Sequence, residues 1–140
     1  MQTGVSGVEV VHRLAPRPES LHEARRLARE AAGELMDESQ VGNLDLAVTE
    51  IVSNAVRHTG ESSEEIVLAL TPKDSYLCVR VTDGGDGLVP RPGAMGTEAG
   101  AGFGLFLVEQ ITRRWGMTRE NGQTRVWFEI DFASAAAEAA

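Results

Sequence analysis

Cys78 is the chain's only cysteine, which excludes an internal disulfide and a cysteine-rich metal site. It lies in an apolar run, so a buried structural thiol in a reducing compartment is expected. Basic residues are also scarce: 13 Lys and Arg stand against 21 Asp and Glu, for a formal charge of −8. Proteins that coat phosphate backbones need clustered Lys and Arg, so direct nucleic-acid binding is not expected. A bound nucleotide stays compatible with this charge, because a few backbone N–H groups can hold phosphates. No run of eighteen apolar residues occurs, so no membrane-spanning helix is expected. The opening MQTGVSGVEV has neither the basic start nor the apolar stretch of a signal peptide. A cytoplasmic location is the expectation.

What the chain has is enough for one globular domain. Its 140 residues are 42% hydrophobic and 24% charged, an ordinary balance and long enough to bury a core. One domain over residues 1–140 is expected, with a core of about 8–132 and a frayed alanine-rich tail at 133–140. Residues 8–14 read as a strand closed by Pro16 and Pro18. A helix opens at Glu19 or Ser20, with Leu21, Ala24, Ala28, Ala31 and Leu35 inward and Arg25, Arg26 and Arg29 outward. A second helix follows the break at 37–40 and runs to about His58, with Leu44, Val48, Ile51 and Ala55 on one stripe. Residues 65–70 and 76–82 read as paired strands, with Leu77, Val79 and Val81 alternating.

From Asp83 to Gly100 the chain holds six glycines and two prolines. A loop this long in a compact domain is commonly functional. A third helix is predicted over 102–115, with Trp115 on its inner face. A final hairpin, 117–120 with 124–132, turns at Asn121-Gly122. This order predicts an α+β fold: helices stacked on one face of a mixed, mostly antiparallel sheet.

Three elements carry chemistry. Glu50 and Asn54 share a helix face beside the apolar stripe at a spacing of four, which taken alone reads as a solvated helix flank; a carboxylate can take a proton, and an amide oxygen can bind a hard cation. Asp83-Gly84-Gly85-Asp86-Gly87 follows a strand. Such a run is a common tight turn, but it also fits a carboxylate that accepts a hydrogen bond from an exocyclic amine, with glycines admitting close backbone approach. Gly100-Ala101-Gly102-Phe103-Gly104-Leu105 opens a helix, where exposed N–H groups and the dipole hold phosphates. It is not a P-loop, since no Gly-Lys-Ser/Thr occurs. Nor is it the dinucleotide fingerprint, which needs glycine where Leu105 stands and a strand just before.

In this order, Glu50 to Ala55, Asp83 to Gly87 and Gly100 to Leu105 resemble the N box, the D-x-G-x-G box and the G-x-G-x-G-L box of one ATPase superfamily. It includes gyrase, the histidine kinases and the mismatch-repair protein MutL. Asn54-Ala55-Val56-Arg57-His58-Thr59, Arg114-Trp115-Gly116 and Thr124-Arg125-Val126-Trp127-Phe128 look like its anti-sigma-factor serine-protein kinase branch. The resemblance runs from about Glu19 to Phe132 and implies the two-layer Bergerat ATP-binding fold. It implies Glu50 as catalytic base, Asn54 as ATP-binding residue and Mg²⁺ ligand, and Asp83 as adenine reader. Gly85 and Gly87 would make backbone contacts, Gly100, Gly102 and Gly104 would lie at the phosphates, and Thr124 would join the adenine contact through water. Residues 88–99 would form a lid. Asp86 adds negative charge near a phosphate site.

The activity so implied is phosphorylation of a Ser or Thr on an anti-sigma-factor antagonist by an ATP- and Mg²⁺-dependent protein kinase that also sequesters a sigma factor, as a homodimer. The alternative is a non-catalytic, nucleotide-dependent clamp. Retention of both Glu50 and Asn54 favours the kinase, because a clamp needs no base. Leu21-His22-Glu23-Ala24-Arg25-Arg26 is only faintly like a phospho-accepting histidine motif and lacks its proline; His22 is read as a solvated helix residue. His12 and His58 are read as structural, and Trp115 and Trp127 as packing residues.

Overall fold

The computed structural model describes residues 7–59, 65–84 and 101–133. Within them run β1 (Val10–Leu14), α1 (Ser20–Ala32), α2 (Glu38–Thr59), β2 (Ile66–Pro72), β3 (Tyr76–Asp83), α3 (Ala101–Ile111), β4 (Arg114–Glu120) and β5 (Gln123–Asp131). The helices pack on one face of a five-stranded sheet of order β1-β2-β3-β5-β4.

All four ladders are antiparallel, the limiting case of the mostly antiparallel sheet expected. The passage through α3 brings β4 back in the direction of β3, which alone would make a parallel pair. The hairpin then lays β5 between them, and each neighbour becomes antiparallel. That hairpin turns where expected: Asn121 and Gly122 take φ of 54° and 77°, the two positive values that a tight type I′ turn requires.

Alternation decides which side chains face the helices. Leu77, Val79 and Val81 are buried on β3, as are Val126, Phe128 and Ile130 on β5. Register joins them into rows: Val10, Leu70, Val79, Phe128 and Trp115 form one, and His12, Leu68, Val81, Val126 and Met117 the next. The outer face sets ion pairs among apolar residues that include Val11, Ala69 and Trp127. Arg80 pairs with Glu9, while Arg113 and Arg114 close over buried Glu129. Cys78 lies in this outer set and is half-buried, less enclosed than its apolar run suggested. Its partial burial and the nearby Glu129 carboxylate push the thiol pKa up.

The helices depart from the sequence reading at their ends. Helix α1 stops at Ala32, where Gly33 takes a positive φ and donates its N–H to the Arg29 carbonyl. Leu35 therefore lies beyond the helix and is 45% exposed, while Leu27 and Ala32 face the core. Helix α2 starts with a reciprocal cap: the Gln40 N–H donates to the Asp37 carboxylate (2.8 Å), and the Asp37 N–H donates to the Gln40 side-chain oxygen (3.0 Å). This pattern satisfies two of the orphan donors at a helix start. Arg29 to Asp45 and Arg25 to Thr49 then tie α1 to α2.

Helix α3 ends at Ile111, four residues before the predicted end. The Thr112 hydroxyl donates back to the Val108 carbonyl (2.7 Å), and the Arg113 N–H donates to the Glu129 carbonyl (2.8 Å). The sheet thus captures the chain before another helical turn forms. Trp115, expected on the helix, stands on β4 opposite Phe128 and packs against the core.

Candidate functional site

The period-two alternation of β3 continues past Val81 to Asp83, so the last residue of the strand also points inward. Its register partner on β5 is Thr124. Both are buried, at 3% and 1% exposure. At this end of the sheet β1 and β2 pair Leu14 with Ile66, whereas β3 and β5 pair a carboxylate with a hydroxyl. A buried carboxylate is tolerable only with polar company.

Helix α2 supplies part of that company. Asn54 is 2% exposed and lies inside the helix's buried stripe, among Ile51, Val52 and Ala55, whereas a position beside the stripe was expected. Glu50, one turn earlier, is half-buried at its margin. One turn later, His58 brings Nδ1 to 3.9 Å from Oδ2 of Asp83. The sequence assigned His58 no role, although its spacing of four from Asn54 places it on the same face.

Three side-chain atoms are buried without a hydrogen-bond partner among the described residues: Nδ2 of Asn54, Oγ1 of Thr124 and, one residue further along β5, Nε of the half-buried Arg125. Leaving such an atom unsatisfied costs about 1–3 kcal/mol. Thr59 is equally buried, yet its hydroxyl donates to the Ala55 carbonyl at 2.7 Å. Burial of a polar residue is thus satisfied within the helix at Thr59 and left open at Asn54 and Thr124.

The donor set fits an adenine nucleotide. A carboxylate can accept from an exocyclic amine, and a hydroxyl and an amide stand ready for further polar atoms. It also fits Mg²⁺ held mostly by phosphates, since that ion usually takes one or two protein oxygens. Among the described residues no cluster of three or more His, Cys, Asp or Glu could hold a metal by itself. The Asn54 oxygen accepts a hydrogen bond from the Arg57 guanidinium; its second lone pair leaves room for a cation contact.

Gly102 and Gly104 lie in the first turn of α3, which packs against α2, so the glycine-rich segment does open a helix. Gly85, Gly87, Gly100 and the lid at 88–99 lie outside the described residues. Elsewhere, a cavity of about 410 Å³ on α1 is lined by His22, Arg25, Arg26, Arg29 and Glu30. Arg26 is ion-paired with Glu23 and Glu30, and Arg29 with Asp45, so this charge is largely spent within the protein.

A family model described as the histidine kinase-like ATPase domain matches residues 14–130. Among solved structures, the RsbU and RsbW domains of a Mycobacterium tuberculosis protein align with a TM-score of 0.66 at 20% identity. That alignment covers 89% of this chain and 32% of the other, so this chain spans about a third of that protein's length. The histidine kinase domain of a blue-light activated kinase from Erythrobacter litoralis aligns at 0.51 and 20% identity, covering 85% of this chain and 62% of the other. A mycobacterial sensor histidine kinase, MprB, aligns at 0.53 and 14% identity, covering 86% and 98%. These likenesses bear on the fold. No curated protein matches the chain by sequence.

Proposed function

We propose a function from one premise: this chain belongs to the histidine kinase-like ATPase domain family. It is an ATP-dependent serine/threonine protein kinase of the anti-sigma type, working on Mg·ATP at the end of the sheet where β3 and β5 finish and start. The observation that carries this is the burial of three polar side chains, Asn54 on α2 and the register partners Asp83 and Thr124, two of whose atoms have no hydrogen-bond partner among the described residues. Asp83 accepts from the adenine amine, and Thr124 supports that contact. Asn54 offers its amide oxygen to Mg²⁺, whose charge offsets that of the phosphates. Gly85 and Gly87 admit the base, and Gly100, Gly102 and Gly104 hold the phosphates by backbone N–H groups.

Glu50 is the general base. It takes the proton of a Ser or Thr hydroxyl on the antagonist protein as that oxygen attacks the γ-phosphorus and the bond to the β-phosphate oxygen breaks. Its half-buried place one turn from Asn54 suits a group that must meet both a protein substrate and the nucleotide. The partners are a sigma factor and its anti-sigma antagonist, bound by a homodimer in the cytoplasm; these follow from the resemblance of residues 54–59, 114–116 and 124–128 to the anti-sigma kinases.

The test is incubation with labelled Mg·ATP and candidate antagonist proteins, followed by mapping of the phosphorylated residue. Label on one Ser or Thr, lost with Glu50→Gln, is the expected result. If no antagonist is labelled while a sigma factor is still held in the presence of Mg·ATP, the protein is a nucleotide-dependent clamp.

A further inference from the structure

Strand β1 forms one edge of the sheet and, among the described residues, pairs only with β2. Every second residue of an edge strand directs its backbone N–H and C=O away from the sheet, a template for another strand. Native edges are commonly blunted by Lys or Pro, and the run from Val8 to Leu14 has neither. Its three valines are open to solvent instead: Val8, Val10 and Val11 are 53%, 46% and 50% exposed. Val10 shares the row of Leu70, Val79 and Phe128, so that apolar row reaches the edge still half open to water.

The same run is complementary to itself. When a second copy lies antiparallel on it about Val11, Glu9 faces Arg13 twice across the two-fold axis. Val11 then meets Val11, Val10 meets His12 and Val8 meets Leu14. Alternation keeps each pair on one face, with the charges flanking Val11 outside and Val8 and Val10 on the helix side. The pairs these charges make within the chain leave that contact open. Arg13 is 4.0 Å from Glu65, with both side chains more than half exposed. Glu9 meets Arg80 at 2.7 Å, but a carboxylate accepts more than one donor, as Glu129 does from Arg113 and Arg114.

We propose that β1 is the surface on which a second copy of this chain docks, edge to edge and antiparallel about Val11, joining two five-stranded sheets into one. This supplies the homodimer proposed above with its surface, and it rests on that dimer alone, not on the nucleotide chemistry. Strand β2 lies between β1 and β3, so the contact stays clear of Asp83 and ATP affinity does not depend on it.

Sedimentation velocity over a concentration series of the whole chain tests this, with folding checked by circular dichroism and ATP affinity by calorimetry. The wild-type chain sediments as a dimer. Val11→Lys sets two like charges against each other on the axis and raises the dimer dissociation constant about tenfold or more, with folding and ATP affinity unchanged. Arg13→Glu and Glu9→Arg each weaken the dimer when alone. Their equimolar mixture restores it, because every charge across the axis then meets its opposite. If Val11→Lys does not fold, the mixture is read by itself. A wild-type chain that stays monomeric at every concentration overturns the proposal and the homodimer with it, whether or not a strand of another protein takes the edge. A dimer that Val11→Lys leaves intact, or that the mixture fails to restore, overturns the proposal alone and moves the homodimer to another surface.

Discussion

Val79 and Asp83 stand four residues apart on β3 and face the same way, yet their surroundings differ in kind. The row through Val79 runs Val10, Leu70, Val79, Phe128 and Trp115, and every member is apolar. The row through Asp83 pairs it with Thr124, and α2 adds His58 opposite the carboxylate. Val79 and Asp83 are themselves both buried. The first row is apolar throughout, while in the second the buried Thr124 hydroxyl has no hydrogen-bond partner among the described residues, and neither has the amide nitrogen of Asn54 on α2. Physical chemistry tolerates such atoms where something else completes them; in the function proposed above the nucleotide does so, and the apolar row serves as scaffold.

Breaking the apolar row should damage the fold without regard to nucleotide. Phe128 is fully buried, and Phe128→Ala is expected to cost about 3–5 kcal/mol of stability. Denaturant unfolding with and without Mg·ATP measures this; the loss should be similar in both. A deficit that vanishes on adding ATP would place Phe128 in the site.

At the polar end the effects should fall on function. Glu50→Gln should slow phosphoryl transfer by about 10²- to 10⁴-fold while ATP still binds, because Gln keeps the helix but cannot take a proton. Single-turnover phosphorylation beside ATP titration separates the two. Equal transfer rates in wild type and variant would dismiss Glu50 as the base. Asp83→Asn should weaken ATP by about 1.5–3 kcal/mol, the usual worth of a hydrogen bond to a charged group; calorimetry on the folded variant decides, and unchanged affinity would take Asp83 out of the site.

Thr124→Val sharpens the contrast most finely. It removes the unpartnered hydroxyl at nearly constant shape, so the free protein should gain about 1 kcal/mol of stability while ATP binding weakens by about as much. Val79→Thr, the reverse exchange on the apolar row, should destabilise the free protein and leave ATP affinity alone. Thermal melts of both variants with parallel titrations give the four values. A loss of stability in Thr124→Val would mean that its hydroxyl is already satisfied.

Much of this was legible in the sequence because it depends on local periodicity. The alternation of Leu77, Val79 and Val81 predicts β3 and, extended by one step, the inward direction of Asp83. The Asn121-Gly122 pair predicts the last turn, and the glycines from Gly100 predict a glycine-rich helix start. The resemblance of the three boxes then implied the superfamily to which the chain belongs.

Other features came only from contacts between distant segments. A helical pattern that runs through Gly104, Val108 and Ile111 to Trp115 reads as one helix, because periodicity carries no sign of the Glu129 carbonyl that captures Arg113. Leu35 fits the period of α1, but Gly33 ends the helix first. Asn54 looked like a flank residue beside its stripe, and only packing of α2 over β3 encloses it. The 3.9 Å approach of His58 to Asp83 joins residues 25 apart in the chain, through a helix end and a strand end that meet when the layers stack. Spacing along one element specifies which way a side chain points. What it meets there is decided by the element packed opposite, and that is a property of the tertiary structure.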